Sequence, residues 1–401
     1  MFKSVLAGSF VVVMSLVFAG CDSFSASSLT SPSSVSSSGN FIEISDANDA
    51  IKSASTNTVP KTISGVELST IRGWFPNMYP WEYIPGQSAV HPVPNLWSPP
   101  IGNVPQKPTP SQIAEQCQQI KEFGGGAVVF EYSPNPALDW HNYWLSNGFA
   151  SVCGPFFLLY EHIYGTRFIP ADGPKDMSNP YNRKAFKDDI DFMFKNVIVP
   201  NQSRYVTVKG RAVIYMWSSV QMTGDFASLL EEVKKEYPVF FIGSGESQPN
   251  GVENIARVKA LDGFMEYSLG GRSNYLRAVQ DYNRSSLSLR EYLRNIEVET
   301  GKRYVLIPTF QAAYDDTNVP GRNNPPMYAR SRDEVKYHAE MIRSGMGSVY
   351  DSGPFVVYSE LPEGAAVIES QCLPATVDTP GRFVGCGTGR LQILKEYFGG
   401  R

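Results

Sequence analysis

The sequence predicts an α/β protein whose main domain is a (β/α)8 TIM barrel. Short β-branched or aromatic runs alternate with helical patterns along the chain, which is typical of parallel strands joined by crossover helices. Roughly 340 residues follow an N-terminal tether, enough for one barrel of this kind. Polar residues, glutamate above all, stand at the ends of successive apolar runs. These three observations predict eight βα units with a functional face at one end.

The predicted strands are short apolar runs of the kind that parallel sheets bury on both faces. They are Val66 to Ile71, Ala127 to Phe130, Phe156 to Leu159, Ala212 to Met216, Val239 to Ile242, Gly263 to Met265, Tyr304 to Pro308 and Phe355 to Tyr358. Helical patterns lie between many of them, at Ser111 to Phe123, Lys184 to Lys195, Phe226 to Glu236, Ser288 to Glu299, Ser331 to Ser344 and Arg390 to Tyr397. No clear helix separates the second strand from the third.

The polar residues at the strand ends indicate which end of the barrel carries the functional site. They are Arg72, Glu131, Glu161, Trp217-Ser218, Glu246, Glu266-Tyr267, Gln311 and Glu360. In a TIM barrel the C-terminal ends of the strands form the active-site face. Ordinary turns favour Gly, Asn and Asp, so repeated glutamate predicts a functional face.

The N-terminus is typical of a bacterial lipoprotein signal peptide, residues 1–21. Lys3 precedes an apolar run from Val5 to Phe18, and small residues lead to Cys21, where we expect lipid attachment. The run is shorter than the ~20 residues that span a bilayer. Residues 22–57 are rich in Ser, Ala, Thr and Asn and predict a flexible tether, followed by the barrel at 58–401. The sequence therefore predicts export to the cell envelope, with the membrane reached only through the lipid.

Charge and metal-binding residues restrict the function. The net charge is −4, and no basic stripe predicts nucleic acid as a partner. The four histidines and five cysteines show no metal-ligand spacing, so we expect no metal and no cofactor. Cys372 and Cys386 flank a Pro- and Gly-containing loop and are predicted to pair. For Cys117 and Cys153, both a bridge and buried thiols are left open.

The chain from Phe355 to Gly364 is the most informative segment. An apolar run delivers Glu360 and Glu363, three residues apart, onto a turn. Cleavage of a glycosidic bond requires one carboxyl group to protonate the leaving oxygen and a second to assist the anomeric carbon. Glu360 and Glu363 are therefore the candidate catalytic pair, and a carbohydrate is the expected substrate; a solvated acidic turn is the alternative.

Other side chains are candidates for binding the sugar. Aromatic residues concentrate in the segments after the first two predicted strands, where they either stack on sugars or pack in the core: Trp74, Tyr79, Trp81, Tyr83, Trp97, Trp140, Tyr143 and Trp144. Asp139 and His141 flank Trp140 and are candidates to bind hydroxyl groups. Glu131, Glu161, Tyr267 and Tyr314 are expected to position substrate.

Four segments carry motifs in a recognisable order. Ser359 to Glu369 keeps both glutamates and the glycine of N-E-W-H-E-G-T-x-I-E, with its I-E pair one residue further on. Phe157 to Arg167 is similar to a strand ending in E-P-Y-x-G-R, and Lys209 to Tyr215 to G-R-P-V-x-Y. Tyr314 to Asp316, followed by Arg322 and Arg330, is similar to P-G-Y-D-D and a later Arg-containing loop. Together these segments resemble glycoside hydrolase family 99, the endo-acting α-mannosidase-like barrels.

The resemblance implies a (β/α)8 barrel that cleaves glycans endo-wise with retention. It implies that Glu360 acts as base on the substrate's 2-hydroxyl, while Glu363 protonates the leaving oxygen and later activates water. It places Tyr164 and Arg322 among the substrate-binding residues. Leu361 and Pro362 replace the family's Trp and His, which keeps a second hypothesis open: a surface lipoprotein that binds glycan without cleaving it.

Overall fold

The computed structural model describes the barrel domain in several segments. They are residues 59–78, 109–134, 139–162, 167–170, 173–245, 252–269, 274–314, 327–329, 331–350, 357–361 and 389–399. The signal peptide, the tether, Cys372 and Cys386 lie outside these residues, so those predictions remain predictions.

Eight parallel strands form a closed ring in chain order. They are β1 (Phe75–Met78), β2 (Val128–Tyr132), β3 (Phe156–Tyr160), β4 (Arg211–Met216), β5 (Val239–Gly243), β6 (Gly263–Met265), β7 in two pieces (Val305–Ile307 and Thr309–Phe310) and β8 (Val357–Leu361). Each strand pairs with the next, and β8 returns to β1. The first piece of β7 pairs with β6 and the second with β8, so this strand closes the barrel. Pro308, which has no N–H to donate, separates the two pieces.

Helices connect the strands on the outside of the ring. They are α1 (Pro110–Glu122), α2 (Asp139–Ser146), α3 (Phe149–Val152), α4 (Pro180–Met193), α5 (Phe226–Glu236), α6 (Val252–Ala260), α7 (Tyr275–Thr300), α8 (Arg332–Gly345) and α9 (Gly389–Phe398). In α5 the buried residues are Phe226, Leu229, Leu230 and Val233, the i, i+3, i+4, i+7 pattern of one helix face. The fold class that the sequence predicted, a (β/α)8 barrel, is confirmed.

The first predicted strand was placed wrongly. Val66–Glu67 forms a two-residue strand outside the ring, paired with Val206–Val208, and Leu68–Thr70 is a 3-10 turn. The barrel begins at β1 instead, so Arg72 precedes the first strand and does not lie at its C-terminal end. Pro76 hid this strand, because proline is unusual inside a sheet.

Two connections contain helices that the sequence did not indicate. Between β2 and β3, α2 and α3 fill the gap where no helix was expected, and α6 links β5 to β6. The aromatic residues near Trp140 therefore lie on a helix, and Trp144 is buried in the core. The predicted helix Ser331 to Ser344 matches α8, whose N-cap Ser331 accepts a hydrogen bond from the N–H of Glu334.

Short elements outside the barrel complete the described structure. A π-helical turn, Phe194–Ile198, extends α4, and 3-10 turns lie at Gln202–Arg204 and Ser219–Gln221. Lys175–Asp176 pairs with Met222–Thr223, and Ala313–Tyr314 pairs with Met327–Tyr328. Within the described segments, no helix combines the length and apolar character needed to cross a membrane.

Cys117 and Cys153 form a disulfide, which answers the question that the sequence left open. Cys117 lies in α1 and Cys153 directly follows α3, and their Cα atoms are 4.6 Å apart. The bridge ties together the outer helices of the first two βα units.

Candidate active site

Alternation along the strands decides which side chains face the barrel interior. The rings of Phe75 on β1 and Phe157 on β3 meet at 6.0 Å across the inside of β2. Phe130 on β2 contacts Phe149 of α3 and so faces outward. Successive side chains in a strand point to opposite faces, so Asn77 and Glu131 share the inner face with Phe75.

Two buried acids face inward on neighbouring strands. Glu131 is the penultimate residue of β2 and pairs in register with Leu159 of β3. Glu161 directly follows β3, and its N–H donates to the carbonyl of Tyr132 at 3.0 Å. Each side chain is 2% exposed. Adjacent strands lie about 4.8 Å apart, so the fold brings the two predicted substrate-positioning acids to one region of the active-site edge.

Strand β8 carries Glu360 to the same edge through a β-bulge. Tyr358 pairs with Pro76 of β1 and Leu361 pairs with Met78, so Ser359 and Glu360 together stand opposite the single residue Asn77. Bulges of this type redirect a side chain near active sites. The backbone of Glu360 therefore lies at the C-terminal end of the barrel, as the sequence predicted, while Glu363 lies outside the described residues.

Trp217 and Tyr267 form an aromatic pair at this end. Trp217 follows β4, Tyr267 follows β6, and their rings meet edge to face with centroids 5.8 Å apart. Both are only partly buried. Partly exposed rings at the mouth of a barrel suit stacking on the apolar faces of sugars.

Hydrogen bonds join the segment that follows β4 to the residue that follows β5, next to Trp217. Ser218 adopts a left-handed backbone with φ 50°, and its N–H donates to the Ser244 hydroxyl at 2.7 Å. The Ser219 hydroxyl accepts from the N–H of Ser244 at 3.0 Å and donates to its carbonyl at 3.0 Å. A non-glycine residue with positive φ persists only when its surroundings fix it, so this network defines the position of Trp217.

Glu266 also lies at the active-site edge, directly after β6. Its carboxylate accepts from the N–H of Gly245 at 3.2 Å, which joins the ends of β5 and β6. The sequence placed Glu266 among the polar strand ends but assigned it no role. Glu246, the neighbouring candidate, lies outside the described residues.

Helix α2 begins with two predicted sugar-binding residues. Asp139 and Trp140 form its first turn, close in sequence to the end of β2, and their side chains lie outside the described structure. His141 is buried between β2 and the helix, with its ring 6.4 Å from Phe130 and 5.6 Å from Tyr132. Since Phe130 faces outward, His141 lies in the layer between strand and helix rather than inside the barrel. Burial lowers its pKa to about 3, which leaves it neutral.

The connection after β3 is anchored on α4. Arg167, which ends the motif similar to E-P-Y-x-G-R, pairs with Asp189 at 2.6 Å, and the Tyr160 hydroxyl donates to the same carboxylate at 2.7 Å. Burial raises the pKa of Asp189 to about 6, although both partners lower it. His162, also in this motif, is buried, and burial together with the charge of Lys175 lowers its pKa to about 3.

The remaining predicted residues are only partly placed. Tyr314 lies in the short strand Ala313–Tyr314 after β7, and its side chain lies outside the described structure. Tyr164 and Arg322 lie outside the described residues altogether. Among the described residues, no cluster of three or more His, Cys, Asp and Glu side chains could hold a metal ion.

Sequence reasoning missed Asn77, a buried polar residue on the inner face of β1. The misplaced first strand concealed it, because the predicted strand ended at Ile71, before the observed strand Phe75–Met78 that contains Asn77. A buried amide within an otherwise apolar strand is the signal that could have found it.

No family model matches the chain, and no curated protein matches its sequence. Solved structures do match. A glycoside hydrolase-like protein aligns with a TM-score of 0.52 at 15% identity, covering 82% of this chain and 95% of its own. The GH99 endo-alpha-mannosidase from Bacteroides thetaiotaomicron aligns with a TM-score of 0.54 at 11% sequence identity. The alignment covers 82% of this chain and 97% of the mannosidase chain. At these identities the comparisons show the fold: this chain has the barrel architecture of these glycoside hydrolase structures.

Proposed function

We propose that this protein is a glycoside hydrolase that cleaves a poly- or oligosaccharide, endo-wise and with retention. The observation that carries the proposal is the bulged end of β8, where Glu360 joins the inward-facing Glu131 and Glu161 at the C-terminal edge of the barrel. Carboxyl groups at this edge are where a barrel enzyme performs chemistry. The barrel shared with solved glycoside hydrolases supports the same conclusion.

In the proposed mechanism Glu360 takes the proton from the sugar's 2-hydroxyl. The 2-oxygen then attacks the anomeric carbon and closes a three-membered ring with it. The glycosidic bond breaks, and the leaving oxygen takes a proton from Glu363. In the second half Glu363 removes a proton from water, which attacks the anomeric carbon and opens the three-membered ring, while Glu360 returns its proton to the 2-oxygen. Two inversions at one carbon give retention.

The first test is a turnover assay on α-linked and bacterial polysaccharides, with release of reducing ends as the measurement. We expect Glu360→Gln and Glu363→Gln each to lower kcat/KM at least 100-fold, the usual contribution of a general acid or base. Glu363→Gln should be least harmful on substrates with good leaving groups, because these need little protonation. Glu360→Gln should abolish turnover on every substrate.

Glu299→Gln is the matched control, since Glu299 is an exposed glutamate at the end of α7. This variant should retain full activity. NMR of the first product should show the anomeric configuration of the substrate. An inverted product, or wild-type rates in either active-site variant, would reject the mechanism.

A second candidate function is glycan binding without cleavage. The presence of Leu361 and Pro362, where the resemblance has Trp and His, favours it. Under this hypothesis the wild type binds a glycan and releases no product, and both glutamine variants bind it equally well. Retention of the sugar on an affinity gel, combined with the turnover assay, separates the two functions.

A further inference from the structure

The rings of Trp217 and Tyr267 meet across the inside of the barrel. Trp217 follows β4 and Tyr267 follows β6, and β5 lies between these two strands. The hydroxyl of Tyr215 in β4 donates to the carbonyl of Met265 in β6 at 3.3 Å, so the Tyr215 side chain also passes inside β5. Because side chains alternate along a strand, Trp217 faces inward two residues later, at the C-terminal end.

The packed interior of the barrel ends at these two rings. The strand residues before them, Ala212–Met216 and Gly263–Met265, are buried, whereas Trp217 and Tyr267 are both partly exposed. The angle of 72° between the ring planes sets the edge of one ring against the face of the other. A molecule that enters from the C-terminal end therefore meets aromatic surface on this side.

Hydrogen bonds from β7 fix the chain on both sides of Tyr267. Before it, the carbonyl of Glu266 accepts from the Thr309 hydroxyl. After it, the N–H of Leu269 donates to Oε1 of Gln311 at 2.8 Å. Gln311 is fully buried, so water does not compete for this bond. The position of Tyr267 is thus set by the neighbouring strand.

The chain after Trp217 is fixed from β5. The N–H of Ser218 donates to the Ser244 hydroxyl at 2.7 Å, and the Ser219 hydroxyl bonds to the backbone of Ser244. Ordering a binding surface when the ligand arrives costs free energy, and a surface that is already ordered avoids that cost. Both rings are therefore suited to bind a ligand in one orientation.

A pyranose ring fits this surface. The C–H groups on one face of a pyranose form an apolar patch that packs on an aromatic ring, while its hydroxyl groups point sideways. In a ring of eight strands β4 lies four strands from β8 in either direction, so Trp217 lies across the mouth from the backbone of Glu360. A sugar stacked here lies opposite the strand that carries the candidate base.

We propose that Trp217 and Tyr267 form a stacking subsite for one pyranose unit of a glycan, and that Gln311 is the positioning residue that holds Tyr267 in it. The proposal rests on the proposed function for its ligand, a carbohydrate, and does not depend on cleavage. Stacking contributes through the area of ring that meets the sugar, so its loss weakens binding.

The first test measures binding of three soluble α-linked polysaccharides, amylose, dextran and α-mannan, by isothermal titration calorimetry. Trp217→Ala and Tyr267→Ala should each raise the Kd of the polysaccharide that binds by about tenfold or more, since each loses an aromatic anchor. Tyr267→Phe keeps the ring and should bind within about threefold of the wild type. Tyr337→Ala removes an exposed tyrosine of α8, 38% exposed, and is the control that should leave the Kd unchanged.

Fluorescence shows whether the sugar touches Trp217. Binding should change the tryptophan emission of the wild type, because the sugar replaces water at a partly exposed indole. Trp217→Phe keeps an aromatic ring and should still bind within about fivefold of the wild type. Its emission should no longer respond to the polysaccharide.

Two substitutions of Gln311 test its positioning role. Gln311→Met has a similar shape but no acceptor for the Leu269 N–H, and it should raise the Kd by about threefold or more. Gln311→Glu keeps an oxygen at this place and should restore binding. Equal losses in both variants would show that Gln311 does not act through this hydrogen bond.

Three results would overturn the stacking subsite. They are a wild type that binds none of the three polysaccharides, folded alanine variants that bind like the wild type, and an emission change that survives in Trp217→Phe. Circular dichroism identifies variants that fail to fold. Binding that the alanine variants lose, in a protein without turnover, would reject the proposed cleavage and keep the subsite. Turnover that these variants retain at the wild-type KM would do the reverse.

Discussion

Asp262 shows how single residues hold the end of the barrel opposite the active site. It is buried just before β6, where its carboxylate accepts from the N–H of Phe241 at 3.0 Å. Three cations surround it: Lys234 at 3.1 Å, Arg211 at 3.2 Å and Lys302 at 3.4 Å. Burial raises the pKa of Asp262, but these three charges more than offset it, so the pKa lies below its ordinary value.

We expect Asp262→Asn to lower the free energy of unfolding at pH 7 by about 1.5 to 3 kcal/mol, because it removes the buried charge that three partly exposed cations share. The folded pKa is below the unfolded value of about 3.9, so this stabilisation is present above pH 4 and lost as the pH falls through the folded pKa. Urea unfolding of wild type and variant at several pH values should show the difference shrinking toward acid.

The control for Asp262 is Glu299→Gln, which breaks an exposed pair with Lys259. Exposed pairs contribute at most about 1 kcal/mol, so this variant should unfold almost like the wild type. An Asp262→Asn effect as small as the control, or one that grows toward acid, would show that the cluster does not stabilise the fold.

At the scale of elements, the Cys117–Cys153 disulfide closes a loop of sequence separation 36 between α1 and α3. The chain-entropy model gives about 4 kcal/mol for a loop of this length. Replacing both cysteines with serine should lower the free energy of unfolding by about this amount in denaturant titrations.

Reduction of the wild type provides an independent check on the disulfide. In reductant the wild type and the double variant should unfold alike, because both then lack every bridge, and without reductant Cys117→Ser alone should match the double variant, because both lack this bridge. Peptide mapping that finds both thiols free in the protein purified without reductant would contradict this assignment.

The elements that sequence predicted best are those with uniform local signals. The run Phe156 to Leu159 is apolar throughout, and the helix Phe226 to Glu236 places its apolar residues on one face, so pattern alone located both. The prediction missed β1 because Pro76 and Asn77 are typical of turns. Pairing with β2 and β8 in the folded protein overrides that local preference. The prediction also missed α2 and α3, the helices before Phe156, because they are too short to show a clear helical period in the sequence.

At the scale of the whole molecule, the active-site edge was predictable because a parallel barrel gathers every strand's C-terminal end at one face. The polar residues at the ends of the predicted strands therefore identified Glu131, Glu161 and Trp217 as residues of this face without any knowledge of contacts. It could not show that His141 lies in the outer layer, since that depends on which face of α2 packs on Phe130. Nor could it find the bulge in β8, which is a mismatch of register between two strands distant in sequence.

At the N-terminus, the sequence predicts that a lipid holds the whole protein in the cell envelope. The apolar run that ends at Cys21 and the Ser-rich tether after it predict that Cys21 becomes the lipidated N-terminus. Cys21→Ser should move the protein from the membrane fraction to the soluble fraction, as judged by fractionation and immunoblotting. Mass spectrometry should show the lipid on Cys21 in the wild type and none on the variant. A protein that keeps its membrane attachment after this substitution is anchored by another route, and the lipoprotein assignment is then wrong. Unfolding curves of the released protein should match those of the anchored one, because Cys21 is separated in sequence from the barrel domain by residues 22–57, the predicted tether.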